Sequence, residues 1–203
     1  MHTFGLIISH MIIDLLSVIA IGTLFIRFSE KKTMFIAQSY CLVLIFKCYL
    51  KAYIGMPLSE WMMLLGWSIP SGHTIAYGTV YGLILDPRKQ LLQFLVVILL
   101  TGSALVYCGY HQPIDILVAA MFLFLILTFL RAIMAFDIFS RLAIACVISY
   151  WSMHQGILSN TNVQWFYFKW MIIAYGVEYL FQRIGFYDPN QFKWVQRLRV
   201  YSL

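Results

Sequence analysis

The chain has 203 residues, of which 62% are hydrophobic and 11% charged, and its formal net charge is +6. A water-soluble domain carries about 25% charged residues, so this composition excludes a soluble globular fold and predicts an all-α, polytopic membrane helix bundle of about six to seven spans. In that setting the positive charge implies basic cytoplasmic loops and contact with anionic lipid, with no nucleic-acid partner.

Apolar runs of about 20 residues, enough to cross a bilayer as a helix, fall at roughly 4–26, 34–54, 70–86, 91–109, 114–136, 140–156 and 164–184. The first has no basic stretch before it and no small-residue cleavage pattern, so it reads as a retained span and not a signal peptide. Within it His10 and Asp14 are four apart on one helix face. They suit an interhelical hydrogen-bonding pair, or a proton relay beside a site. The second run carries Lys47 and Lys51, again four apart near one end. The stretch LSEWMMLLGW (58–67) is too short to span and reads as an interfacial helix or re-entrant lid. The third run opens with IPSGHT (69–74), and the fifth is preceded by YHQPID (110–115). The last run holds Lys169, Glu178 and the aromatic cluster WFYFKW (165–170), an interface belt. Lys169 reads either as a snorkelling or paired residue or as a contact to the site. The tail FKWVQRLRVYSL (192–203) mixes basic and apolar residues and reads as a segment lying on anionic inner-leaflet lipid.

Sidedness follows from the basic residues. Arg27, Lys31, Lys32, Arg88, Lys89, Arg131, Arg141, Arg183, Lys193, Arg197 and Arg199 all fall on one side of an alternating seven-span path. The positive-inside rule then puts the N-terminus outside and the C-terminus in the cytoplasm, in a plasma, inner or internal membrane. Residues 1–203 read as a single domain with a motif-bearing core at 51–115 and C-terminal spans plus basic tail at 140–203. Cys41, Cys48, Cys108 and Cys146 show no metal or disulfide spacing and read as small buried side chains.

Two polar stretches carry chemistry. Pro70, Ser71, Gly72 and His73 stand at a helix start, either as simple helix-initiating residues or as a phosphate site. A helix N-terminus presents unpaired N–H groups and a positive dipole, and Gly72 lets the backbone approach an anion closely. Asp115 lies one helical turn after His111. That pair is either a structural cap or an orienting device: a carboxylate on one ring nitrogen fixes the tautomer and steadies positive charge, as a nucleophilic His requires. On the derived topology Lys51, Ser71–Gly72–His73 and His111–Asp115 all belong to outer helix ends.

Taken together, these residues resemble the type-2 phosphatidic acid phosphatase superfamily. That family carries K-x6-R-P, P-S-G-H and S-R-x5-H-x3-D. The middle motif is intact at residues 70–73, and the third keeps His111 and Asp115. The first aligns through KAYIGMPLS, from Lys51 to Ser59. Both motif arginines are missing: Leu58 and Ser59 stand for Arg-Pro, and Ala104 and Leu105 stand for Ser-Arg. The resemblance implies a helical membrane enzyme with catalytic His111, His73 and Asp115. Lys51, Ser71 and Gly72 would then bind phosphate, with Lys47 and Lys169 as secondary candidates beside His10 and Asp14. Leu cannot replace the bidentate Arg–phosphate pairing. Three readings follow. The first is a lipid phosphatase acting on a phosphomonoester or pyrophosphate through a phosphohistidine. The second is a phosphotransferase acting on a phosphodiester head group, similar to sphingomyelin synthases. The third is a catalytically impaired scaffold or partner subunit of a membrane complex. No cofactor is implied, and no metal, since the cluster lacks the extra carboxylates of a Mg²⁺ site.

Overall fold

The computed structural model describes residues 30–54, 69–85, 89–107, 109–154 and 161–184. These form six helices: α1 (Glu30–Ile54), α2 (Gly72–Leu85), α3 (Leu91–Tyr107), α4 (Pro113–Ile133), α5 (Ile138–His154) and α6 (Thr161–Arg183). Among the described residues there is no strand, so the all-α expectation holds there. The expected first span with His10 and Asp14, the 58–67 segment and the basic tail lie outside the described residues. The chain divides into two compact units, residues 1–37 with 176–203, and residues 38–175.

Among the described residues two helical stretches, Lys31–Lys51 and Pro113–Ile133, are long and apolar enough to cross a membrane. Others among the expected spans fall short for physical reasons. The 14 residues of α2 reach about 21 Å at 1.5 Å per residue, against a hydrocarbon layer of about 30 Å. The α3 helix is apolar but has 17 residues. Its exposed Leu91, Leu92, Leu95, Leu99 and Leu100 form an apolar face of the kind that water does not cover.

The packing of α2, α3 and α4 within residues 38–175 sets the site. Gly78 and Gly82, one turn apart on α2, face α4 directly. A Cβ on Gly78 would overlap the Leu123 side chain and come within 2.9 Å of Ile98 of α3; one on Gly82 would overlap Leu127. Gly102 does the same for α3, where a Cβ would meet Ile116 of α4 at 2.7 Å. Small residues at four-residue spacing allow helices to close in this way, so that contact comes from packing of whole helix faces. The pairs Gly78–Leu123 and Gly82–Leu127 advance together, so α2 and α4 run parallel, with α3 antiparallel to them and packed against both. At the far end the Arg131 guanidinium donates to the Gly82 carbonyl at 2.8 Å, one of the α2 carbonyls left without an intrahelical donor.

A polar layer links α1, α5 and α6 in the same unit. Arg141, counted among the basic residues on the cytoplasmic side of the path, is buried. It donates to Gln38 Oε1 at 3.1 Å and lies 6.0 Å from the Tyr175 ring centroid. Gln38 in turn donates to the Ala174 carbonyl at 3.5 Å. Arg141 is therefore an interior structural cation and not a free loop charge. A buried charge persists only where hydrogen bonds and partners compensate it. The Asp137 carboxylate starts α5 by accepting the N–H groups of Phe139 and Ser140, the usual N-cap arrangement. In the other unit buried Glu178 accepts from Gln182 at 3.4 Å within α6. Cys41, Cys48 and Cys146 are half-buried free thiols.

The glycine contact makes a sharp prediction. Gly78→Val forces two methyl groups into Leu123 and Ile98, and overpacking of this kind costs about 1–3 kcal/mol. Denaturant unfolding of the protein in detergent is expected to show that loss, whereas Gly176→Ala, where a Cβ meets nothing within 4 Å, is expected to leave stability unchanged or slightly raised.

Candidate active site

The start of α2 is built by Ser71. Its Oγ accepts the Thr74 N–H at 3.3 Å and the Thr74 hydroxyl at 3.0 Å, so it caps the helix at the position where Ser and Thr are favoured. Its carbonyl takes the first helical bond, from Ile75 N–H at 3.1 Å. Ser71 is fully buried. Its side-chain oxygen thus holds the turn through both accepted bonds, which supports the helix-starting reading of this residue. The same turn is tied to α4: the Ser71 N–H donates to the Asp115 carbonyl at 3.2 Å. That bond connects the PSGH turn to the helix that carries the Asp.

His111 is positioned from both sides. Upstream, α3 ends in a Schellman motif around Gly109, which has φ of 72°. Gly109 N–H donates to the Val106 carbonyl at 2.9 Å and Tyr110 N–H to the Leu105 carbonyl at 3.0 Å. Only glycine adopts such a φ without strain, and the motif satisfies carbonyls that the helix end leaves open. The Leu105 carbonyl also takes the His111 N–H at 3.3 Å. Downstream, Pro113 opens α4, where its missing N–H does no harm. Asp115 Oδ2 accepts the Gln112 N–H at 2.9 Å and lies 3.1 Å from His111 Nδ1. One oxygen therefore serves as helix cap and imidazole partner together.

That contact fixes the ring chemistry. An ionised carboxylate can only accept, so the shared hydrogen sits on Nδ1 and Nε2 carries the lone pair in the neutral ring. His111 is 8% exposed and Asp115 2% exposed. Burial, foremost, holds the His111 pKa below its ordinary value. The Asp115 hydrogen bond opposes that shift, and the Lys51 charge adds to it. Burial and Lys51 both favour the neutral, nucleophilic ring.

His73 is half-buried in the first turn of α2 and lies beside His111. The ring centroids are 6.2 Å apart with planes at 68°. At this separation the two imidazoles are near neighbours, so a single small group at the helix ends lies within reach of both. Lys47 and Lys51 converge on Gly72. A Cβ there would lie 3.2 Å from Lys47 Cδ, 3.4 Å from Lys51 Cε and 3.5 Å from Lys47 Nζ. Glycine thus lets two cationic side chains lie against the first turn of α2, where the helix end already favours anions.

The structure brings together His73, His111, Asp115, Ser71, Gly72, Lys47 and Lys51 from the sequence reading. Lys169 is exposed on α6, and no described contact joins it to the histidines. Leu58 lies outside the described residues, whereas Leu105 is half-buried at the end of α3. Sequence reasoning missed the positioning role of the Leu105 carbonyl and Gly109. A glycine two residues past the end of an apolar helix is the signal that marks such a motif. Comparison of the chain with protein-family models, with curated proteins and with solved structures gave no match. Among the described residues no cluster of three or more His, Cys, Asp or Glu could hold a metal ion.

The electrostatics predict the pH response of any reaction that uses neutral His111. Its acid limb is expected below the ordinary imidazole value of about 6.5. Lys51→Met removes one of the charges that holds the pKa down, so the acid limb moves to higher pH. A pH profile of kcat/KM checks the sign; an unmoved or lowered limb contradicts it. Asp115 and His73, which lie against His111, are retained in this variant.

Proposed function

We propose that the chain is a polytopic membrane helix bundle, divergent within the type-2 phosphatidic acid phosphatase superfamily, that hydrolyses a phosphomonoester or pyrophosphate on a lipid. The N-terminus lies outside and the C-terminus in the cytoplasm, so the histidine pair faces the extracytoplasmic side. The observation that carries this reading is the 6.2 Å pairing of the His73 and His111 rings, with Asp115 on His111 Nδ1 and two lysines on Gly72.

In the first step His111 Nε2 attacks phosphorus, forming an N–P bond as the P–O bond to the lipid oxygen breaks. Protonated His73 gives its proton to that departing oxygen. In the second step water attacks phosphorus, His73 accepts its proton, and the N–P bond electrons return to His111. Asp115 steadies the positive charge that His111 develops in both steps. Lys47, Lys51 and the first-turn amides of α2 stabilise the oxygens in the crowded transition state, where preorganised charge contributes most.

A phosphotransferase acting on a phosphodiester is the second reading, and one observation favours it. Leu105 stands where the family pattern has Arg, and its carbonyl holds the His111 backbone. A phosphodiester presents one negative charge where a phosphomonoester presents up to two, so a site lacking the guanidinium suits it better.

Purified protein assayed on phosphatidic acid, a prenyl pyrophosphate and a phosphocholine lipid with an alcohol acceptor separates the two. Phosphate release is the expected result, reduced by about 10³-fold or more in His111→Ala and by about 10²–10⁴-fold in His73→Ala. Head-group transfer without phosphate release would favour the second reading. Equal turnover in wild type and His111→Ala would overturn both.

A further inference from the structure

Within residues 38–175 lies a cavity of about 350 Å³ between α1, α4 and α5. Leu42, Val43 and Phe46 of α1, Ile126 and Leu130 of α4, and Trp151 of α5 form much of its wall. Among the described residues that line it none is charged, and the Trp151 indole is the one polar side-chain group. An occupant of such a space must be hydrocarbon, since a polar group there would lose its hydrogen bonds to water without replacement.

The position of the cavity relates it to the site. The two described helices that are long and apolar enough to cross a membrane, α1 and α4, line it, and each also supplies polar groups to the site. On α1, Phe46 is followed at once by Lys47 and one turn later by Lys51. On α4, the wall begins at Phe122, two turns past Asp115. From Asp115 to Leu130 the helix rises about 22 Å, most of the way across a hydrocarbon layer of about 30 Å. An aromatic column stands at the polar end. Phe46, Tyr49 and Tyr53 stack along α1 at 6.0 and 5.9 Å, and Tyr49 meets Trp151 at 4.5 Å. Side entry is available too, because Leu125 and Phe129 line the cavity yet are exposed on the outer face of α4.

We propose that this cavity holds one hydrocarbon tail of the lipid whose phosphate lies between His73 and His111, an inference that rests on the functional reading above. Its volume is near the lower bound of ligand pockets, which run from about 300 to 1,000 Å³, and so suits a single chain. The tail runs from the aromatic column along α4, and its burial tethers the head group at the histidines. Chain length, then, is a determinant of KM.

Two arms on the full chain in nanodiscs test this. In the first, Ile126→Trp narrows the cavity, and dipalmitoyl and dibutyryl phosphatidic acid are compared as substrates. The expected result is a KM raised about fivefold or more for the long-chain lipid, with the short-chain lipid unchanged. Equal effects on both lipids, or none on either, would overturn the proposal. In the second, the unaltered protein is photolabelled with phosphatidic acid bearing a diazirine at the end of a palmitoyl chain, and labelled residues are mapped by mass spectrometry. Label on Leu42, Val43 or Leu130, which packing buries, supports the tail site. Label confined to outward Leu117 and Phe124, both exposed, overturns it, as occupation by another part of this chain or by a second copy would. Label in the cavity without turnover on any lipid would leave the tail site standing and remove the hydrolase reading. Turnover with label only outside would do the reverse. A misfolded Ile126→Trp leaves the labelling arm to decide.

Discussion

With no Cβ at Gly78 and Gly82, the backbone of α2 lies directly against Leu123 and Leu127 of α4. That close approach sets the parallel pairing of the two helices, and everything at their shared end depends on it. The Ser71 N–H reaches the Asp115 carbonyl because of it, and His73 comes beside His111. A larger residue at either glycine would push the helices apart and separate the two imidazoles. The Arg131 bond to the Gly82 carbonyl secures the opposite end of the same pair.

The polar groups at that end serve structure and chemistry together. Asp115 Oδ2 caps α4 through the Gln112 N–H and holds the His111 ring. A carboxylate already fixed by a backbone bond loses little further freedom in orienting an imidazole. The Leu105 carbonyl similarly ends α3 and anchors the His111 backbone. His111 is thereby held at its backbone N–H and its Nδ1, with Nε2 left as the nitrogen bearing the lone pair. The lysines of α1 complete the cluster by lying on Gly72, which leaves cations near the helix start although no arginine stands at Leu105.

Much of this was legible in the sequence, for identifiable reasons. The apolar runs that fall in the described residues gave helices close to their observed positions, since helix periodicity and length are strong signals. The pairing of His111 with Asp115 followed from four-residue spacing. Gly78 and Gly82 share that spacing, yet a lone chain does not say which helix they face. Arg141 counted toward sidedness by its place at a helix end, which says nothing of its burial. Its burial depends on Gln38 and Tyr175, which are distant in sequence. Ser71, read from the sequence as a helix start or a phosphate contact, takes the N-cap place through Thr74. The convergence of Lys47 with Lys51 on Gly72 is a tertiary contact that no local pattern encodes.

The most direct test is to look for the covalent intermediate. The protein is mixed with a lipid phosphate labelled at phosphorus, quenched within milliseconds under alkaline conditions that preserve phosphohistidine, and digested for mass spectrometry. Double displacement at His111 predicts phosphate on the peptide containing His111, and none there in His111→Ala. Turnover with no phosphorylated His111 at any quench time, or phosphate found on His73 in its place, would contradict it.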